Sequence, residues 1–295
     1  MKKIAVIGAG TMGNGIAHVL SMYGYQVSLI DISESALQRG METIIKNMER
    51  MVKKDKLSNA QMASSLDNIL THTDLGLGVQ DVDLVIEAAT ENEDIKIKIF
   101  QQLDELTQES TILATNTSSI SITKIASATQ RPDKVIGMHF MNPVPIMRLV
   151  EIIRAYSTSD AVTETIVAMA AGMDKVPVVV NDYPGFVANR ILIPMINEAI
   201  YTLFEGVAGV EQIDSVMKLG MAHPMGPLQL ADFIGLDVVL AISRVLHQGF
   251  LQPKYAPCPL LVNMVQAGKL GKKSGEGFYA YTKDGKAPSP SAAFG

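Results

Sequence analysis

Cysteine is almost missing from this chain. Cys258 stands alone among 295 residues, so no disulfide can form within the chain and no cysteine-cluster zinc site can be built. Charge is sparse too: Asp, Glu, Lys and Arg make up 19% of the residues, against about a quarter in an ordinary soluble domain. With 47% hydrophobic residues, the chain can bury a substantial core and is not disordered. No basic excess exists: 25 Lys and Arg face 30 Asp and Glu, a net charge of −5. That argues against a nucleic-acid partner but leaves a local basic patch open for an anionic ligand. The uninterrupted run of about 18 apolar residues that a membrane helix needs is absent. The most apolar later segment, Leu228–Ile242, is broken by Asp232 and Asp237. The start, Met1-Lys2-Lys3 before apolar Ile4–Ile7, resembles an export signal, but Gly8 ends the run and no small-residue cleavage site follows. His18, His72, His223 and His247 lack metal-ligand spacing such as HExxH. A soluble cytoplasmic protein without a metal site is expected.

What is present is an alternation. At ~150 residues per domain, the length suggests two domains. In the first half, short β-branched runs alternate with longer amphipathic stretches, as in a parallel sheet flanked by helices. Strands are expected at Lys2–Gly8, Gln26–Asp31, Ile69–Thr73, Asp83–Ala88, Thr111–Thr115, Lys134–Phe140, Arg148–Ala155 and Lys175–Asn181, about eight in all. The texture changes at Asp182-Tyr183-Pro184-Gly185. Beyond it, helices are expected over Phe186–Glu205, Val210–Leu219, Leu228–His247 and Cys258–Ala267, closed by Gly206, Gly220, Gly249 and Gly268. The expected division is a doubly wound α/β domain over residues 1–183, an all-helical domain over 184–282 and a loose tail over 283–295.

Gly8-Ala9-Gly10-Thr11-Met12-Gly13 follows the first strand and opens an amphipathic helix. Gly8 permits the tight turn, Gly10 lets the backbone approach a pyrophosphate, and Gly13 lets helix and strand pack closely. The helix start offers unpaired N–H groups and a positive dipole end to the phosphates. Such a loop alone is a weak signal. Here the second strand ends in Asp31, eighteen positions past Gly13, where a carboxylate accepts from both ribose hydroxyls. Its charge would repel a 2′-phosphate, and no Arg follows closely, so NAD is favoured over NADP.

His139 ends a strand and is followed by Asn142-Pro143-Val144-Pro145. Glu151, twelve residues on, shares a strand face with Leu149 and Ile153. A carboxylate on an apolar face needs a partner, and an imidazole fits, because the acid fixes its tautomer and stabilises the imidazolium. On spacing alone, an unrelated histidine and a salt-bridged glutamate explain the pattern equally well. Asn116-Thr117-Ser118-Ser119 follows the fifth strand at the carboxyl edge, where such sheets bind ligands. Either serine could instead cap the next helix. Asn189 lies at the start of the helical domain, with an exposed helix position as its plainer reading.

Taken together, GAGTMGNGIA, DLVIEAATEN, ATNTSSISIT, RPDKVIGMHFMNPVPIMRLVEII, PGFVANRILIPMINEA, MKLGMAHPMGPLQLADFIGLD and KSGEGFY resemble the 3-hydroxyacyl-CoA dehydrogenase family, most closely its bacterial 3-hydroxybutyryl-CoA branch. The resemblance runs to about Tyr281. It implies a Rossmann-type domain, a helical domain that dimerises, NAD as cofactor and an acyl-CoA substrate. It also implies that His139 is the catalytic base, that Glu151 orients it, and that Ser118 and Asn189 complete the substrate site. By the same matching, Glu91, Lys96, Asn116 and Asn142 lie near the cofactor, beside Asp31 and the glycine loop with Thr11 and Met12. Lys54, within the basic segment Lys46–Lys56, is then a candidate for the phosphates of coenzyme A. A sugar-acid (gulonate-type) dehydrogenase keeping the same His–Glu pair and a non-catalytic NAD-binding protein stand as alternatives. Relatives that use a lysine in the second-domain helix are disfavoured, since none occurs from Phe186 to Glu205.

Overall fold

Eight β-branched runs become strands: β1 (Lys3–Ile7), β2 (Gln26–Ile30), β3 (Ile69–His72), β4 (Leu84–Glu87), β5 (Ile112–Thr115), β6 (Val135–Phe140), β7 (Leu149–Arg154) and β8 (Val176–Asn181). The computed structural model describes residues 1–282 and 288–294, and all eight strands lie in its first unit, Met1–Tyr183. They form one sheet in the order β3-β2-β1-β4-β5-β6-β7-β8. Every neighbouring pair is parallel except β6 and β7, which run antiparallel. Chain order reverses beside β1, so a crevice opens at the carboxyl ends of β1 and β4, where sheets of this kind take ligands. Residues of β4, β5 and β6 are buried throughout, as expected of strands covered on both faces.

The covering helices are α1 (Thr11–Met22), α2 (Glu34–Val52), α3 (Asn59–Asp67), α4 (Leu75–Gly78), α5 (Glu93–Leu106), α6 (Ile122–Ala126) and α7 (Asp160–Gly172). In α2 the buried residues Leu37, Gly40, Ile44 and Met48 recur at the three- and four-residue steps that keep one stripe on the core. Ser33 caps it by accepting from the Ala36 N–H. The short helices α3 and α4 lie outside the sequence-based expectation. α3 is held at its start by a reciprocal cap between Ser58 and Gln61, and of its residues only Ser65 is buried.

The second unit, Pro184–Gly295, has its own apolar core, drawn from Ile193, Ile196, Leu228, Val239, Leu261 and Phe278 among others. Its helices are α8 (Ala188–Phe204), α9 (Val210–Gly220), α10 (Pro227–Ile234), α11 (Leu236–Phe250) and α12 (Pro259–Gln266). The single helix expected over Leu228–His247 is two helices. Gly235 takes φ +103° between α10 and α11, and its N–H closes α10 on the Ala231 carbonyl at 2.9 Å. Gly206 and Gly268 follow their helices at positive φ as expected, whereas Gly249 lies inside α11 and Leu251, at φ 51°, ends it.

The expected loose tail also differs. Residues 283–287 and 295 fall outside the described residues, but Ser289–Pro290 (β10) pairs antiparallel with Tyr279–Ala280 (β9). Ser291 is buried, and the Phe294 ring lies 5.9 Å from that of Phe278. Two buried carboxylates organise this segment. Asp232 accepts from the Phe278 and Tyr279 N–H groups at 2.9 Å each, and Asp214 accepts from the Leu228 N–H and the Tyr279 hydroxyl. Among the described residues no helix is long and apolar enough to cross a membrane.

Candidate active site

At the turn from β1 to α1, Gly8 takes φ +96°, and a Cβ there would lie 2.6 Å from the Ala88 carbonyl oxygen. A Cβ on Gly13 would lie 1.7 Å from the Gly8 oxygen. Both positions therefore exclude any side chain. Gly10 differs, since nothing lies within 4 Å of its Cβ position. It is exposed and caps α1 without a side-chain hydrogen bond. The first N–H groups of α1, at Thr11 and Met12, follow an open backbone position, and no acidic residue sits in the first turn. This cradle fits a pyrophosphate. Asp31, just past β2, accepts from the Ala9 N–H at 2.8 Å and the Ser33 N–H at 3.0 Å. The carboxylate is thereby fixed beside the glycine loop, as a ribose-binding acid must be.

Across the crevice, β4 ends in Glu87, which is fully buried. Lys96, from α5, donates to both of its oxygens at 2.6 and 2.8 Å and is itself 1% exposed. Glu91 lies in the turn between β4 and α5, with Oε2 3.7 Å from the Lys96 ammonium. Its Oε1 accepts from the Thr117 hydroxyl (2.6 Å), the Ser118 N–H (2.9 Å) and the hydroxyls of Ser118 (3.2 Å) and Ser119 (2.9 Å). Desolvation pushes the Glu91 carboxyl up, but the Thr117 hydroxyl, Lys96 and the two serines outweigh it and hold it below the usual carboxylate range. The structure thus brings Glu91 and Ser118 together. The helix that follows is capped not by Ser118 or Ser119 but by Ser121, which accepts from the Lys124 N–H.

His139 and Glu151 are register partners on β6 and β7, directly opposite each other. The His139 Nδ1 lies 2.8 Å from Glu151 Oε2, and both residues are buried. Because a carboxylate only accepts, Nδ1 carries the proton in this contact. Asn116, just past β5, accepts through Oδ1 from the Phe140 N–H at 2.9 Å and so fixes the residue after the histidine. The chain then leaves through Asn142, which is exposed and precedes a cis peptide to Pro143. Lys175 donates to the Val144 and Met147 carbonyls at 2.5 and 2.8 Å, tying this loop to the start of β8.

Two further expected site residues lie on other elements. Lys54 is exposed in the turn between α2 and α3. Asn189 belongs to the second unit, in the first turn of α8 and half-buried. Sequence reasoning missed two charged anchors, Glu87 and Lys175. The signal for the first was a lone acid ending the otherwise apolar strand Leu84–Glu87.

Residues 3–183 match the family model described as 3-hydroxyacyl-CoA dehydrogenase, NAD binding domain, and residues 185–281 match the model for its C-terminal domain. The chain is 53% identical over 281 residues to a 3-hydroxybutyryl-CoA dehydrogenase of Bradyrhizobium diazoefficiens, covering 95% of this chain and 96% of that protein. It is 43% identical over 287 residues to the mitochondrial hydroxyacyl-coenzyme A dehydrogenase of Rattus norvegicus, covering 95% and 91%. The crystal structure of (S)-3-hydroxybutyryl-CoA dehydrogenase from Ralstonia eutropha superposes with a TM-score of 0.93 at 50% identity, covering 96% of this chain and all of that one. An NAD-binding sheet domain and a helical domain, each matched along nearly its whole length, make this chain a member of the 3-hydroxyacyl-CoA dehydrogenase family.

Proposed function

We propose that the protein catalyses the reversible NAD-dependent oxidation of (S)-3-hydroxybutyryl-CoA to acetoacetyl-CoA. The observation that carries this reading is the 2.8 Å contact between His139 and Glu151 at the carboxyl edge of the sheet, on the same edge as the glycine loop. With Nδ1 given to Glu151, Nε2 is the ring atom that exchanges a proton with the substrate hydroxyl. NAD, when bound, supplies the hydride acceptor. In oxidation His139 takes the hydroxyl proton, and Glu151 stabilises the imidazolium as it forms. In reduction the imidazolium returns that proton to the developing alkoxide. Ser118, ordered by Glu91, aligns the substrate oxygen, and Asn189 contributes from the helical domain. Gly10, Thr11 and Met12 take the pyrophosphate and Asp31 the ribose hydroxyls, while Glu91, Lys96, Asn116 and Asn142 shape the nicotinamide side. Lys54 takes a phosphate of coenzyme A. The active species is a cytoplasmic homodimer, a reading supported by the exposed apolar residues Phe204, Val207, Leu219 and Phe233 on the helical unit.

The test is loss of NADH absorbance on mixing the purified protein with acetoacetyl-CoA, with NADPH run in parallel. Rapid oxidation of NADH and a slow NADPH trace are expected. His139→Ala should lower turnover by about 10²–10⁴-fold with NADH affinity nearly unchanged, and equal activity in that variant removes the assignment. Binding of NADH without turnover of acetoacetyl-CoA by the wild-type enzyme points instead to a sugar-acid substrate.

A further inference from the structure

Glu87 presents a carboxylate with no room for a ligand. Its Oε1 accepts from Lys96 (2.6 Å) and the Ala89 N–H (2.7 Å), and its Oε2 accepts from Lys96 (2.8 Å) and the Thr115 hydroxyl (2.7 Å). Any part it plays at the carboxyl edge of the sheet must run through those donors. Lys96 is the one that leads outward. Its ammonium stands between two acids, hydrogen-bonded to Glu87 and 3.7 Å from Glu91, beyond hydrogen-bonding reach of the latter. Glu91 meanwhile gathers the Thr117, Ser118 and Ser119 donors onto its other oxygen.

Two carboxylates sharing one ammonium beside a dry strand end is a poor way to gain stability, since apolar side chains of similar volume generally do as well or better. The arrangement does something else: it decides which acid holds the lysine. We propose that Glu87 is a positioning residue for the reaction, holding the Lys96 ammonium with both oxygens so that Glu91 stays on the serine turn that carries Ser118. Without the Glu87 charge, Lys96 closes the 3.7 Å gap to Oε2 and draws the Glu91 carboxylate toward itself, away from the serine turn that Oε1 holds. The effect on turnover rests on the substrate proposed above, whereas the effect on NADH binding rests only on the proposed place of Glu91 and Lys96 beside the cofactor.

The experiment compares Glu87→Gln, Lys96→Met and the double variant. The dissociation constant for NADH is read by fluorescence titration without acyl-CoA, and kcat and KM are read with acetoacetyl-CoA. Glu87→Gln should weaken NADH binding and lower kcat, each roughly tenfold. In the Lys96→Met background the same substitution should change neither by more than about twofold, because Glu87 acts through Lys96. Wild-type binding and turnover in folded Glu87→Gln overturn the proposal, as does an effect of Glu87→Gln that persists undiminished once Lys96 is gone. Should a single variant not fold, Glu87→Asp, which keeps the charge but withdraws it from Lys96, takes its place. Weakened NADH binding there supports the role and unchanged binding overturns it. A wild-type protein that binds NADH but does not reduce acetoacetyl-CoA fails the substrate reading alone, and the NADH comparison still decides the role of Glu87.

Discussion

His18 lies on the buried side of α1, 1% exposed, and no described residue hydrogen-bonds either ring nitrogen. Burial, with a smaller contribution from the Lys175 charge, pushes its pKa down to about 4. The unfolded ring takes up a proton near pH 6.5 while the folded ring resists protonation until about pH 4, so stability is lost as pH falls between those values. Leucine at this position removes both the titration and the unsatisfied nitrogens. The wild-type protein should therefore lose ~2 kcal/mol relative to His18→Leu between pH 7 and pH 5. Urea unfolding of both proteins at the two pH values measures the difference. Equal pH dependence would show that the ring is not buried as described.

At the scale of elements, Gly235 is the residue that divides α10 from α11. At φ +103°, a Cβ would meet Asp237 Oδ1 and Lys273 Nζ, each at 3.0 Å. Gly235→Ala should cost about 1–3 kcal/mol, visible as a lowered unfolding midpoint, and an unchanged midpoint would mean that α10 and α11 can join. The apolar periodicity of Leu228–His247 continues straight through this glycine, which is why it reads as one helix in the sequence: hydrophobic spacing carries no record of a single reversed φ. The strands were legible for the opposite reason. Buried parallel strands have little choice but β-branched residues, so β1, β4 and β6 announce themselves. The polar helix α3 has no stripe to read, and only its Ser58–Gln61 cap could have betrayed it. In the candidate site, alternation placed Glu151 on the apolar face of its strand. That its partner is His139 follows from a register that sequence does not print. The same holds for Ser118 and Glu91, 27 residues apart, and for the burial of Lys96 against Glu87 rather than out toward a ligand.

The whole molecule carries two apolar cores, one from Ile4, Leu20, Leu84 and Ile136 and their neighbours, the other from Ile196, Leu228, Val239 and Phe278 and theirs. Each has its own helices, and no described residue belongs to both. Calorimetry should accordingly depart from a single two-state transition. Saturating NADH should raise the transition of the sheet unit, by about 2.7 kcal/mol at a hundredfold excess over its dissociation constant. One sharp transition with equal calorimetric and van't Hoff enthalpies would mean that the two cores melt as one.

One reversal in the sheet ties the proton-transfer pair to a loop. Because β6 and β7 run in opposite directions, His139 and Glu151 face each other through backbone register, which the connecting segment Met141–Arg148 helps to set. The length of that segment and the acid–base geometry are thereby bound together. A one-residue insertion or deletion that slipped the register would turn one member of the pair to the opposite face of the sheet.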